Sequence, residues 1–194
     1  MISKITDYIF LSGIDYLNNV SSIEYIKKNN IKHILCCIKN FDSAYHEKFI
    51  FENKLDIDVL FIPYDDTLSQ NLWETINICN LKYVKLNFNN TNDFDVVNQW
   101  LHSCKNKPMI NIAYEYIDNA VNNKEGVIVH CMAGISRSPS IVIYYLMNKY
   151  NLSYKDAHSV VSSNRNIINP NMSFSKQLQD SQNLKNMHHL SKCI

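Results

Sequence analysis

The chain has 194 residues, 46% of them hydrophobic and 19% charged, enough for one globular domain with a sizeable core and too few for two ordinary ones. A formal net charge of +1 without runs of like charge argues against stable nucleic-acid binding, an anionic membrane or an acidic partner, so any charge recognition is expected to be local. Met1–Asp7 lack an apolar signal core, no apolar stretch reaches the ~18 residues that span a bilayer, and the six cysteines show none of the close repeated spacing of disulfide or zinc modules, so a cytoplasmic protein with reduced thiols is expected.

In chain order, the short apolar runs Ile9–Leu11, His33–Ile38, Val59–Ile62 and Val127–Val129 read as buried strands, because each is bounded by polar clusters. Ser21–Lys27 carries apolar residues at helical spacing, as do Ile110, Tyr114, Ile117 and Val121 ahead of the last strand. Leu81–Phe88 alternates like a strand, and Asn89–Asp93 reads as a loop. Pro139 falls in the first turn of a helix whose broad apolar face is Ile141, Val142, Tyr145, Leu146 and Tyr150. Ser153–Asp156 has the pattern of a capping box opening a further helix through Val160 and Val161. Strands alternating with helices predict a three-layer α/β fold, with a mainly parallel central sheet flanked by helices on both faces.

The chemistry concentrates where Val127–His130 runs into Cys131-Met132-Ala133-Gly134-Ile135-Ser136-Arg137-Ser138 and a helix follows at once. A curl at a helix N-terminus can aim its unpaired N–H groups at one phosphate, with the helix dipole adding attraction for the dianion. Gly134 gives the curl its backbone freedom. Met132, Ala133, Gly134, Ile135, Ser136 and Arg137 are thus the candidate phosphate-binding residues. The same field and the Arg137 guanidinium favour the Cys131 thiolate and make it a nucleophile at neutral pH. Arg137 offers a planar fork for two phosphate oxygens, and Ser138 can hydrogen-bond the sulfur as it leaves. His130 reads as a structural histidine that fixes the loop, and Cys36, Cys37, Cys79 and Cys104 as small buried hydrophobes.

This nonapeptide resembles the catalytic loop of the dual-specificity phosphatases, within the cysteine-based protein tyrosine phosphatase superfamily. The likeness extends over most of the chain. Ser3–Leu11 is similar to the family's opening strand, Ile31–Leu35 to its second, and Ile143–Met147 to the helix after the loop. Arg165–Asn171, Phe174 and Gln177-Leu178 resemble its final turn and helix. The resemblance implies one catalytic domain over residues 1–190 and hydrolysis of phosphotyrosine and phosphoserine or phosphothreonine in proteins. It further implies a phosphocysteine intermediate, with no metal and no other cofactor. Two other functions stay open: a phosphatase for a non-protein substrate such as an RNA 5′ end or a phosphoinositide, and a catalytically weak phosphate-binding module. Uncharged Met132, Ala133, Ile135 and Ser136 argue against a polyanionic headgroup.

An alkoxide leaving group needs a proton donor. Ile62–Leu72 resembles the family's acid-bearing loop with Asp66 at the matching position, and Asp65 is its neighbouring alternative. Asp66 and Cys131 lie 65 positions apart, a long separation for this family, which places an insertion at about 73–106. Asp93 and Asp95, in that segment, are the rival acids under an alternative threading.

Overall fold

The structure is a computed structural model that describes residues 1–77, 80–85 and 91–191, with the side chains of 91–94 and 185–191 left aside. Cys79 and the Asp93 side chain, both singled out from the sequence, lie outside the described set.

The chain opens with two short strands, not one. β1 (Ser3–Lys4) and β2 (Ile9–Ser12) pair antiparallel, Ser3 opposite Leu11. The expected continuous strand breaks because Thr6 turns the chain back, its Oγ1 accepting from Ile9 N–H at 3.1 Å. A 3₁₀ turn (Ile14–Asn18) leads to α1 (Val20–Lys28), which Asn19 caps by accepting from Ser21 N–H at 3.0 Å while Lys27 and Lys28 sit in the last turn. β3 (Ile31–Cys36), α2 (Ala44–Glu52) and β4 (Asp58–Phe61) follow. Helix α2 was not expected, since its buried stripe is only His46, Phe49 and Ile50.

β5 (Lys82–Lys85) pairs antiparallel with β4, bearing out the centre of the predicted 81–88 strand. α3 (Thr91–Ser103) then corrects the loop predicted over 89–93: Thr91–Asp93 are helical, and Asn89 and Asn90 lie outside the described residues. Polar side chains at a helix start read as a loop, because the residues that favour first turns also favour turns.

α4 (Met109–Asn122), β6 (Gly126–His130), α5 (Arg137–Lys149), α6 (Tyr154–Asn164) and α7 (Met172–Ser191) complete the chain. The predicted capping box forms at α6: Ser153 Oγ accepts from Asp156 N–H at 3.1 Å and donates to that carboxylate at 2.6 Å. Asn171 caps α7 by accepting from Phe174 N–H at 2.9 Å, and Phe174 is fully buried. Truncating a ring so placed costs about 3–5 kcal/mol.

The strand order is β1-β2-β6-β3-β4-β5, with the four inner strands parallel and both edge strands antiparallel. Every residue of β2, β4 and β6 is buried, whichever face it points to, so helices cover both faces of the sheet. The register sets Ser12 beside His130, His130 beside Cys36 and Cys36 beside Phe61. All four parallel strands therefore end at one edge, where an open α/β sheet gathers its binding loops.

Candidate active site

The loop from Cys131 to Ser136 is shaped from outside through its carbonyls. Met132 O accepts from Ile14 N–H at 2.9 Å, Ile135 O from Asn169 N–H at 2.7 Å, and Ser136 O from the Ser140 hydroxyl at 2.8 Å. The carbonyls between them belong to Arg165, whose Nε donates to Gly134 O at 2.9 Å and whose Nη2 donates to Ala133 O at 3.0 Å. Nη1 of the same side chain ties down Met1 O at 3.0 Å and Ser3 Oγ at 3.2 Å. With five successive carbonyls engaged outward, the amide N–H groups are free to turn inward, the arrangement that cradles an anion. Gly134 has φ +67°, and a Cβ there would sit 2.5 Å from Ser12 O, so the curl requires glycine at this point.

Cys131 is buried at the centre, with Ser138 Oγ donating to its sulfur at 3.2 Å. Burial opposes ionisation of this thiol. The Ser138 hydroxyl and amide, the Arg137 charge and the Gly134 amide outweigh that penalty and hold the pKa below the ordinary cysteine range. The contrast with the neighbouring thiols is one of balance: Cys36 and Cys37 are pushed upward, chiefly by desolvation, which outweighs the Arg137 charge at both and the Ile38 backbone hydrogen bond at Cys36. Cys36, Cys37 and Cys104 are all buried and free, as expected of small hydrophobes.

Arg137, the first residue of α5, is largely buried, and its Nε has no hydrogen-bond partner among the described residues. It lies 3.6 Å from Asp66 Oδ2, while its Nη1 makes a long 3.5 Å contact with Tyr64 O. A buried guanidinium with an unsatisfied donor at a helix N-terminus is a receptor for oxyanions.

Asp66 reaches this site across the cleft. Its Oδ1 accepts from Ser136 Oγ at 2.6 Å and from Asn171 Nδ2 at 3.0 Å. Adjacent Asp65 turns elsewhere: Oδ1 accepts from the Asp66 amide at 2.9 Å and Oδ2 lies 3.7 Å from Lys39 Nζ. Asp95 is an exposed residue of α3. Gln177 on α7 fixes the loop that carries Asp66, accepting from Leu72 N–H at 2.8 Å and donating to Gln70 O at 2.9 Å.

Behind the loop, His130 is fully buried, with Nδ1 3.3 Å from Cys131 O and Nε2 2.9 Å from His46 Nε2. Desolvation lowers both imidazoles, His130 to about 4 and His46 to about 2, so both are neutral at physiological pH.

Sequence reasoning brought Cys131, Arg137, Ser138, Asp66 and residues 132–136 together as one site, and the structure gathers them at the same sheet edge. It missed what holds them: Arg165, Asn171, Gln177 and His46. A lone arginine seven residues before a final helix carries no local signal. The detectable hint is the cluster Arg165–Asn171 and Gln177, whose likeness to the family's last turn says nothing of the carbonyls and carboxylate it holds.

A family model described as "Dual specificity phosphatase, catalytic domain" matches residues 15–184. Protein R622 of Acanthamoeba polyphaga mimivirus, whose name assigns it to the tyrosine-protein phosphatases, is 41% identical over 189 residues, covering 95% of this chain and 85% of that one. Human dual specificity protein phosphatase 9 is 46% identical over 68 residues, 35% of this chain and 18% of that longer protein. Among solved structures, human tyrosine phosphatase-like serine/threonine/tyrosine-interacting protein aligns with a TM-score of 0.64 at 25% identity over 95% of this chain and 97% of that one. Human DUSP28 aligns with a TM-score of 0.66 at 16% identity over 97% and 99%, a likeness of fold.

Proposed function

Because this chain belongs to the dual specificity phosphatase catalytic-domain family, we propose that it hydrolyses phosphotyrosine and phosphoserine or phosphothreonine in proteins through a phosphocysteine on Cys131. The observation that carries this reading is the Cys131 sulfur, buried yet held acidic by Ser138, Arg137 and the Gly134 amide.

In this mechanism the thiolate attacks phosphorus in line with the scissile P–O bond. The inward amides of 132–136 and the Arg137 fork bind the equatorial oxygens, whose charge they follow into the transition state. As the P–O bond breaks, Asp66 gives its proton to the leaving oxygen. Asp66, now a carboxylate, takes a proton from a water that attacks the phosphocysteine. The P–S bond breaks, phosphate departs, and the Ser138 hydroxyl stabilises the returning thiolate.

Protein substrates are favoured by the rim. Met132 and Ile135 are exposed apolar side chains of the loop itself, suited to a peptide and offering no charge to a second phosphate. We take residues 1–190 as one catalytic domain bearing an insertion at 73–106, and the cytoplasm as its compartment, in keeping with the buried, unpaired thiols of Cys36, Cys37, Cys104 and Cys131. Among the described residues no helix is long and apolar enough to cross a membrane.

Parallel assays on phosphotyrosine and phosphothreonine peptides, phosphoinositides and 5′-triphosphorylated RNA test the substrate class. Peptide turnover well above the other two is expected. Preferential release of phosphate from phosphoinositide or RNA would overturn the assignment.

A further inference from the structure

We propose that Cys36, His46 and His130 form a structural Zn²⁺ site beneath the catalytic loop. The donor atoms of the three side chains lie within 4.8 Å of one another, and all three residues are buried. They arrive from separate elements: Cys36 ends β3, His130 ends β6 directly opposite it in the register, and His46 comes from α2. A tetrahedral zinc ion with one sulfur and two nitrogen ligands needs donors about 3.3–3.6 Å apart. The two imidazole Nε2 atoms stand at 2.9 Å, so they separate by only a few tenths of an ångström to admit the ion.

The two imidazoles meet nitrogen to nitrogen at 2.9 Å, a contact that hydrogen bonding can make only with a proton on one of them, whereas a cation between them would use both Nε2 lone pairs. His130 already has the arrangement of a ligating histidine: Nδ1 faces Cys131 O at 3.3 Å, which directs its proton there and leaves the Nε2 lone pair free. Tyr16 OH, 3.2 Å from His46 Nε2, supplies an oxygen for the fourth position.

Thiolate and imidazole donors select a borderline or soft ion over Ca²⁺ or Mg²⁺. Full burial and protein donors on every side mark a structural site rather than a catalytic one. The ion takes no part in phosphoryl transfer. It binds β3, β6 and α2 together and fixes the residue that precedes Cys131, so it braces the floor of the loop.

The experiment uses the full chain carrying Cys131→Ser, which removes the competing active-site thiolate. The protein is unfolded and refolded with Co²⁺ to admit the ion to a closed site, freed of excess ion, and read by absorption and elemental analysis, with Zn²⁺ as competitor. One equivalent of Co²⁺ is expected, with tetrahedral ligand-field bands and a thiolate charge-transfer band that Zn²⁺ abolishes. Adding Cys36→Ala should remove both. His46→Phe should do so too, and it keeps a ring among Tyr16, Phe41 and Phe61, so folding is preserved if Cys36→Ala fails. Absence of retained ion, or identical bands in a folded variant lacking Cys36 or His46, would overturn the proposal.

Discussion

Ser136 Oγ donates a 2.6 Å hydrogen bond to Asp66 Oδ1, joining the phosphate curl to a carboxylate 70 residues away in sequence. Asn171 from the start of α7 adds a second donor at 3.0 Å, and its own amide donates to Ser136 Oγ at 3.2 Å. The acid is therefore held by the loop that binds the phosphate and by the last helix together, and not by its own turn alone.

Asp66→Asn should slow phosphopeptides far more than an activated aryl phosphate, because an alkoxide requires protonation and a nitrophenolate does not. The alkaline limb of the turnover profile should vanish with it where chemistry limits the rate. Asn171→Ala should show the same leaving-group dependence in weaker form. Steady-state kinetics of these with Asp65→Asn, Asp93→Asn and Asp95→Asn on both substrates decide the assignment. A leaving-group-dependent defect at Asp93 or Asp95, with Asp66 silent, would move the acid into the 73–106 segment.

Ser138→Ala should raise the Cys131 pKa, since the hydroxyl 3.2 Å from the sulfur is the leading contribution that opposes desolvation. The pH dependence of inactivation by iodoacetamide reads this directly, and its midpoint should move to higher pH. The acidic limb of kcat/KM should move the same way. An unchanged midpoint would mean that backbone amides and Arg137 suffice.

Arg165→Met should cost about 2–3 kcal/mol, the scale for losing charged hydrogen bonds to buried acceptors. Ala133 O and Gly134 O would lose their donors, so the curl loosens and activity falls although Arg165 touches no substrate. Urea unfolding and kcat measured together test this. Arg165→Lys should rescue stability in part and activity poorly, because a single ammonium cannot span two carbonyls.

His33 stands between Asp58 at 2.8 Å and Glu125 at 2.7 Å. Desolvation lowers its pKa, but the hydrogen bond and charge of Asp58, aided by Glu125, outweigh burial and raise it above the ordinary 6.5. A raised folded-state pKa gives stability that is fully present below the unfolded value and fades as pH rises through the folded one. His33→Gln should therefore be most destabilising near pH 5.5 and less so near pH 9, above the carboxylate range in both cases. Urea unfolding at the two values checks the sign, and a larger deficit at high pH would contradict it.

The parallel strands were legible because they are unbroken apolar runs, as in Val127–Val129, where burial on both faces leaves no alternation to misread. Cys131, Arg137 and Ser138 were legible because their partners are neighbours in sequence and the helix start is local. Helix α2 escaped detection because one of its three buried residues is His46, a polar residue whose burial is explained by contacts distant in sequence, Tyr16 and His130. Arg165 and Asn171 escaped because their partners, Ala133, Gly134 and Asp66, are 31 to 105 positions away. Pairings at that separation are made by tertiary closure and leave no periodic trace. The edge pairing of β5 with β4 is legible only in the structure for the same reason.

The central claim is that the Cys131 thiolate is the nucleophile, and the turnover of an activated aryl phosphate by purified Cys131→Ser tests it most directly. The backbone cradle and Arg137 remain in that variant, so a phosphopeptide should still bind and be retained. Hydrolysis should fall to the level of buffer alone, whereas hydrolysis at an appreciable fraction of the wild-type rate would contradict the account.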